Sequence, residues 1–253
     1  MSKTFEKYNL QQFEKDLQEL HISLSDMQIE KFIIFYEMLV EKNQVMNLTA
    51  ITDFDEVLKK HFVDSLSLVK ACDLSHSDKD IALIDIGTGA GFPGIPLKIV
   101  FPDLKVTLLD SLNKRVDFLN EVINALSLSG IDAMHGRAED YAKPEKLREK
   151  YDLCVSRAVA NLSTLSEYCL PYVKVGGKFI SYKSEKVMEE ISDAEYAIGV
   201  LGGTIKEHIS FTLSDSDLYR NLVVIEKIRE TPQKYPRKAG LANKKPLKAL
   251  LRN

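Results

Sequence analysis

Leu83-Ile84-Asp85-Ile86-Gly87-Thr88-Gly89-Ala90-Gly91-Phe92-Pro93-Gly94 is the stretch on which the reading of this chain turns. A short apolar run ends in an acidic residue and a series of closely spaced glycines, and an apolar pattern at helical spacing follows. Such a pattern predicts a strand, a tight turn and a helix start. Glycine permits positive φ and lets a ligand lie against bare backbone. The helix start adds unpaired N–H groups that suit a carboxylate or another anion. Asp85, just before Gly87, supplies an acceptor able to hold an ammonium. A ligand carrying both charges is an amino acid, and S-adenosylmethionine fits.

The same residues satisfy a second pattern. Gly89-Ala90-Gly91-Phe92-Pro93-Gly94 matches G-x-G-x-x-G, the dinucleotide fingerprint. The following apolar run, Lys105-Val106-Thr107-Leu108-Leu109-Asp110, ends in an acid that could take ribose hydroxyls in either cofactor class. Asp85 stands where a dinucleotide site usually has an apolar residue, which favours the methyl donor. A nicotinamide oxidoreductase stays open at this point. So does a glycine turn that merely packs a helix on a sheet.

At 253 residues the chain fits one large domain, or one domain with an extension. Cys72, Cys154 and Cys169 show neither C-x-x-C spacing nor a metal pattern, so a reducing compartment is expected and no metal. Cys154 lies in an apolar run and reads as core. The N-terminus lacks the apolar segment of a secretory signal, and no apolar run approaches the roughly 18 residues of a membrane span. A cytoplasmic monomer without membrane contact is the expectation. The net charge of −3 hides an asymmetry: from Lys227 onward nine bases face the single acid Glu230. That surplus predicts a basic tail aimed at a polyanion, irregular because of Pro232, Pro236, Gly240 and Pro246.

Residues 5–43 read as helices, with Ser25-Asp26-Met27-Gln28 as a capping box before Ile29, Phe32, Ile33, Tyr36, Leu39 and Val40. Asn47-Leu48-Thr49 breaks the pattern, and a further helical stretch carries Val57, Leu58, His61, Phe62, Leu66 and Leu68. Residues 73–80 read as a linker. Strands are expected at 81–86, 104–109, 132–135, 151–155, 173–181, 204–210 and 218–226, and helices at 94–101, 113–127, 161–170 and 185–200. The alternation predicts an α/β fold with a doubly wound, mostly parallel sheet, its last two strands an antiparallel hairpin at one edge. The expected division is a helical N-terminal extension over 1–73, a sheet domain over 80–228 and a basic tail over 229–253.

Several segments in this order carry a family resemblance. They are Asn47-Leu48-Thr49-Ala50-Ile51, His61-Phe62-Val63-Asp64-Ser65, the glycine stretch through Ile95-Pro96-Leu97, and Asp110-Ser111-Leu112-Asn113-Lys114-Arg115. Arg137-Ala138-Glu139, Ser156-Arg157-Ala158-Val159-Ala160, Arg220-Asn221-Leu222-Val223-Val224-Ile225 and Tyr235-Pro236-Arg237-Lys238-Ala239-Gly240 complete the set. From about residue 10 onward the chain resembles the small-subunit ribosomal RNA methyltransferase G family, also called glucose-inhibited division protein B. The resemblance implies a class I, Rossmann-like methyltransferase fold with a seven-stranded sheet. It implies methyl transfer from S-adenosylmethionine to N7 of a guanine in a 16S rRNA loop at the decoding region. By motif position Gly87, Gly89 and Phe92 belong to the cofactor loop, and Asp110-Ser111 to the ribose. Ala138-Glu139 flank the adenine, and Arg157 stands beside cofactor and target as the catalytic candidate. One departure is Ser184, where the family often has glycine after the lysine at 183.

The chemistry agrees with what the sequence lacks. Guanine N7 carries an in-plane lone pair and no proton, so its methylation needs no general base. There is no N-P-P-Y segment for an exocyclic amine and no paired-cysteine arrangement for attack at cytosine carbon. In-line placement then dominates, and proximity supplies roughly 7–11 kcal/mol in favourable cases. An arginine gripping both O6 and N7 would block the reacting atom, so Arg137, Arg157 and Arg220 are expected to use O6 alone or phosphate. Arg237 and Lys238 of the tail join Arg137 and Arg220 as candidate RNA contacts, and His61 reads as a core contact. Two other readings remain: a methyltransferase for a small molecule or protein with an incidental tail, and a non-catalytic RNA-binding assembly factor with a relic cofactor loop.

Overall fold

The computed structural model describes residues 7–74, 80–184 and 187–249. Residues 5 and 6 of the first expected helical segment, 75–79 of the expected linker, 185–186 of the expected helix 185–200 and Arg252 lie outside them. Seven strands form one sheet: β1 Ala82–Ile86, β2 Lys105–Asp110, β3 Ile131–His135, β4 Tyr151–Arg157, β5 Val173–Lys183, β6 Gly203–Thr212 and β7 Tyr219–Lys227. Their order is β3-β2-β1-β4-β5-β7-β6. β1 to β5 pair in parallel, while β7 runs antiparallel to both β5 and β6. The expected hairpin is present, but its second strand inserts against β5 and leaves β6 at the edge. A dinucleotide-binding sheet in the order 3-2-1-4-5-6 has no such inserted strand.

Two helices open the described chain, α1 Gln11–Glu19 and α2 Asp26–Met46. The capping box at Ser25 forms in full, with the Ser25 hydroxyl accepting from the Gln28 N–H and the Gln28 side chain accepting from the Ser25 N–H. Asn47 closes α2 in the left-handed region at φ 48°. A third helical stretch follows as α3 Phe54–Val57, a π-helical turn Leu58–Val63, and α4 Asp64–Leu66. The sheet is flanked by α5 Gly94–Val100, α6 Asn113–Ala125, the short α7 Ala138–Tyr141, α8 Leu162–Cys169 and α9 Val187–Val200. Alternation along the strands assigns the two faces. Leu83, Leu108, Val155 and Ile180 pack with α5, α6 and the N-terminal aromatics Phe32, Phe35 and Phe62. Ile84, Cys154, Phe179 and Val223 pack with Leu165, Ala194 and Ile198 of α8 and α9. The N-terminal helices therefore share a core with the sheet. Cys154 is fully buried in the second core.

The tail is not a free arm. Lys227 is fully buried and donates to Glu149, to the carbonyls of Leu170 and Val173, and to Thr231. Arg237 grips the buried carboxylate of Glu167 through both Nε and Nη2, at 2.9 and 2.6 Å. Tyr235 and Ala242 are buried, Thr164 donates to the carbonyl of Ala242, and Ser163 to that of Leu247. A short helix, α10 Leu241–Lys244, interrupts the irregular path. The path is mostly irregular, as its prolines and Gly240 predict, but the tail is packed down and its bases are not all free for a polyanion: Arg237 finds Glu167 of α8, and Ser163 and Thr164 of α8 hold its backbone. Among the described residues no helix is long and apolar enough to cross a membrane, and no group of three His, Cys, Asp or Glu could hold a metal.

Removing one partner of a fully buried ion pair costs about 3–5 kcal/mol. Arg237 reaches solvent in part, so Arg237→Ala is expected to lower stability by about 2–3 kcal/mol. Urea unfolding measures it; an unchanged midpoint would mean that this bond does not fasten the tail.

Candidate functional site

In an open α/β sheet a ligand crevice forms beyond the carboxyl ends of the strands, where the chain's winding reverses. Here that point lies between β1 and β4, with β2 and β3 on one side and β5 to β7 on the other. The carboxyl ends of β1, β2, β3 and β4 and the segments just beyond them carry Gly87–Phe92, Asp110-Ser111, Ala138-Glu139 and Arg157 respectively. The topology thus brings the cofactor candidates from four strand ends to one rim.

Two carboxylates brace the glycine loop. Asp85 Oδ2 accepts from the Thr88 hydroxyl at 2.7 Å and from the Gly94 N–H at 2.9 Å. Asp110 Oδ2 accepts from the Gly89 N–H, and its Oδ1 from the Leu112 N–H, both at 2.9 Å. Arg115 approaches Asp110 at 3.4 Å. Gly89 has φ +63°, and a Cβ there would meet nothing within 4 Å. Its backbone is bare towards open space, as a ligand lying on the loop requires. Gly87 has φ +71°, and Val159 from the loop after β4 stands over it, 2.6 Å from where a Cβ would be. These features fit the amino-acid end of S-adenosylmethionine.

Asp85 departs from its expected role. The side chain is fully buried, and both its contacts go to its own loop. Oδ1 is closed off from solvent and has no hydrogen-bond partner among the described residues. Burial pushes its pKa up to about 7, against the opposing pull of Thr88, Gly94 and Arg157. It holds the loop from beneath and does not face a ligand's ammonium directly. Asp110 is likewise occupied by backbone, although each carboxylate oxygen can accept a further bond from a ribose hydroxyl. Ser111 beside it is exposed.

Arg157 sits at the end of β4 in a cluster that the N-terminal helices complete. Its Nη1 donates to Asp64 Oδ2 at 2.8 Å and to the Lys60 carbonyl at 3.4 Å. Its guanidinium carbon lies 5.1 Å from the centroid of the Phe92 ring. His61 stacks on the same ring, with centroids 4.7 Å apart. His61 Nδ1 stands 3.4 Å from Arg157 Nη2, and its Nε2 2.8 Å from the Thr49 hydroxyl oxygen. Burial first, then the Arg157 charge, push the His61 pKa down to about 4, so the ring is neutral near pH 7. His61 is more than a core contact: it lines the cluster that holds Arg157. Arg220 donates through Nε to Asp64 Oδ1 at 2.8 Å.

The other candidates lie further round the rim. Glu139 is buried and accepts from the Gly240 N–H of the tail at 2.7 Å, while the Ala138 carbonyl accepts from Tyr172. Arg137 is exposed, with Nη1 3.9 Å from where Gly240 would carry a Cβ, and Lys238 is exposed on the adjoining turn. Arg237 points elsewhere, into its bond with Glu167. Sequence reading missed Asp64 as a partner of two arginines. Lys183, marked in the sequence only by the Ser184 departure and given no role there, donates to the Ala160 carbonyl and to Glu190 and so ties down the loop after β4. Only the His61-Phe62-Val63-Asp64-Ser65 segment hinted at the partnership of Asp64, and nothing local gives the partners of Lys183.

Comparison with known proteins agrees with this geometry. The sequence profile of the GidB family, "rRNA small subunit methyltransferase G", matches residues 28–219. The chain belongs to this family. A ribosomal RNA small subunit methyltransferase G of Lachnoclostridium phytofermentans is 55% identical over 93% of this chain and 96% of its own. One of Bacillus cereus is 52% identical over 94% and 99%. Among solved structures, TrmN from Thermus thermophilus superposes with a TM-score of 0.50 at 17% identity, covering 67% of this chain and 53% of that one. The cyclase SpnF gives 0.51 at 13%, covering 65% and 80%; both bear on the fold alone. As a small-subunit rRNA methyltransferase of the G family, the chain is an S-adenosylmethionine-dependent enzyme with a class I fold and a helical N-terminal segment.

Two measurements test the loop. Asp110→Ala strands the N–H groups of Gly89 and Leu112, so S-adenosylmethionine affinity and stability should fall together, the latter by about 1–3 kcal/mol. Calorimetry and chemical denaturation read both; full stability would mean that the loop does not depend on Asp110. The second concerns pH. Asp85 has a raised pKa in the fold, so between about pH 4 and 7 the folded state binds the extra proton, and its contribution to stability is lost as pH rises. His61, with its lowered pKa, acts with the opposite sign over about pH 4 to 6.5. Asp85→Asn should therefore gain stability relative to the parent as pH rises from 5 to 7. Parallel stability–pH curves for the two proteins would rule this out.

Proposed function

We propose that this chain methylates N7 of a guanine in 16S rRNA, and that Arg157 orients the reactants without moving a proton. The observation that carries the reading is the fixed position of Arg157 at the mouth of the crevice, held by Asp64, the Lys60 carbonyl, His61 and the Phe92 ring. S-adenosylmethionine, when bound, supplies an electrophilic methyl on a sulfonium. Gly87 and Gly89 would hold its amino-acid end, Asp110 and Ser111 its ribose, and Ala138 and Glu139 its adenine.

N7 presents a lone pair with no proton to remove, so placement is the chain's main contribution. The nearest imidazole, His61, has both nitrogens engaged. Arg157 then acts on orientation, and Arg220 reaches an oxygen of the target strand and leaves N7 free. Arg137 and Lys238 lie on the adenine side of the rim, where exposed charge suits RNA phosphate. The folded tail presents Lys238 from a fixed turn, in contrast to a mobile arm reaching out for RNA. We further propose that the protein works as a cytoplasmic monomer on the small subunit or its rRNA, without a metal.

Single-turnover transfer of labelled methyl to 16S rRNA, followed by nucleoside identification, is the test. The expected product is 7-methylguanosine, at a rate that in an Asp85→Asn background, where the loop acid near pH 7 is removed, follows no enzyme group titrating between pH 6 and 9. Arg157→Ala should lose turnover far more than stability, and Arg157→Lys should recover little, because a point charge does not reproduce the planar fork. Another methylated base, or a rate tracking one deprotonation, would overturn the mechanism.

A further inference from the structure

Asp64 touches both arginines of the crevice and belongs to the strand of neither. It comes from the N-terminal helical segment, with a side chain almost wholly buried. Its two oxygens are divided: Oδ2 takes Arg157 of β4 and Oδ1 takes Arg220 of β7, each at 2.8 Å. The backbone around it is fastened to the sheet, because Tyr182 of β5 donates to the Ser65 carbonyl at 2.7 Å. The Ser67 hydroxyl donates to the carbonyl of Asp64 itself at 2.6 Å. The π-helical turn just before it carries His61, and such turns recur at functional sites.

We infer that Asp64 is a positioning residue of the methyl-transfer site: one carboxylate, delivered by the N-terminal helices, fixes the spacing and orientation of the two guanidinium groups at the β4–β7 side of the crevice. This rests on the methyltransferase reading above. The charge pattern argues for more than a structural anchor. An anchor would balance one cation against one anion, as Arg237 and Glu167 do. Here two guanidinium groups share one carboxylate beside a neutral imidazole, and the further acid that feels Arg157, Asp85, is only partly ionised near pH 7, which leaves surplus positive charge at the rim for an anionic oxygen of the substrate. The two arginines are also held unequally. Arg157 is gripped from Asp64, Lys60, His61 and Phe92. Arg220 has Asp64 and its neighbour's carbonyl, and among the described residues its Nη2 has no hydrogen-bond partner. Asp64 thus locks one group in place and aims the free end of the other.

The test uses the full chain with Asp64→Asn and Asp64→Glu. It reads turnover on 16S rRNA, the Kd for S-adenosylhomocysteine, and the melting temperature. Asp64→Asn should lower kcat about a hundredfold, the scale of a small misplacement at a reacting centre. It should also weaken S-adenosylhomocysteine about tenfold through Arg157. Asp64→Glu keeps the charge one methylene further out; it should recover the melting temperature but not kcat. In an Arg157→Met, Arg220→Met background, Asp64→Asn should have no further effect on binding or turnover. Unchanged kcat and Kd in Asp64→Asn, recovery of both by Asp64→Glu, or an undiminished Asp64 effect in the double background would each overturn the proposal. Should Asp64→Asn not fold, Asp64→Glu decides alone, by whether kcat returns with stability. Should the parent chain fail to methylate rRNA, the function is wrong and the S-adenosylhomocysteine arm still reads the link from Asp64 to Arg157.

Discussion

A loop of bare backbone at the end of β1 must stay open to a ligand, and it is two carboxylates at the loop's own strands that keep it so. Asp85 and Asp110 bond the N–H groups of Gly94 and Gly89 at 2.9 Å and are themselves almost wholly buried. Their burial needs compensation, since a lone carboxylate in an apolar interior is costly. The loop's N–H groups and the Thr88 hydroxyl provide part of it. Shape and charge are therefore coupled: disturbing either acid disturbs the bare backbone of the loop. Asp85 keeps one oxygen without a partner among the described residues, and burial raises its pKa despite the bonds that the other oxygen accepts.

The loop also has a lid of aromatic packing that it does not supply. Phe92 leaves the loop to stack with His61 and to meet Phe35 and Phe62 of the N-terminal helices. Arg157 lies over the same ring from the opposite half of the sheet. The helical segment is thus built into the candidate site's rim through Phe92, His61 and Asp64. Because those helices share their core with the sheet, a lesion in α2 would be felt at Arg157 through ordinary packing. The tail does a similar thing at the other end of the rim, where Gly240 rests on Glu139. Its bases serve two purposes: Lys227 and Arg237 satisfy buried partners, while Lys238 stays exposed.

The sequence by itself determined the sequential content of this protein. Strand and helix positions followed from apolar periodicity, because burying one face imposes a repeat of two or 3.6 along the chain. The capping box at Ser25 and the turn after β1 were legible because their bonds join neighbours in sequence. That the cofactor candidates would meet at one rim was legible for the same reason: each lies at or just after the carboxyl end of a strand, and a parallel sheet gathers strand ends together. Tertiary structure alone decided the rest. Nothing local says that β7 inserts between β5 and β6, that Asp64 will meet Arg157 and Arg220, or that Arg237 will turn inward to Glu167. An isolated charge has no periodicity, and its partner is fixed only when distant segments pack and the loss of water forces buried charges to pair.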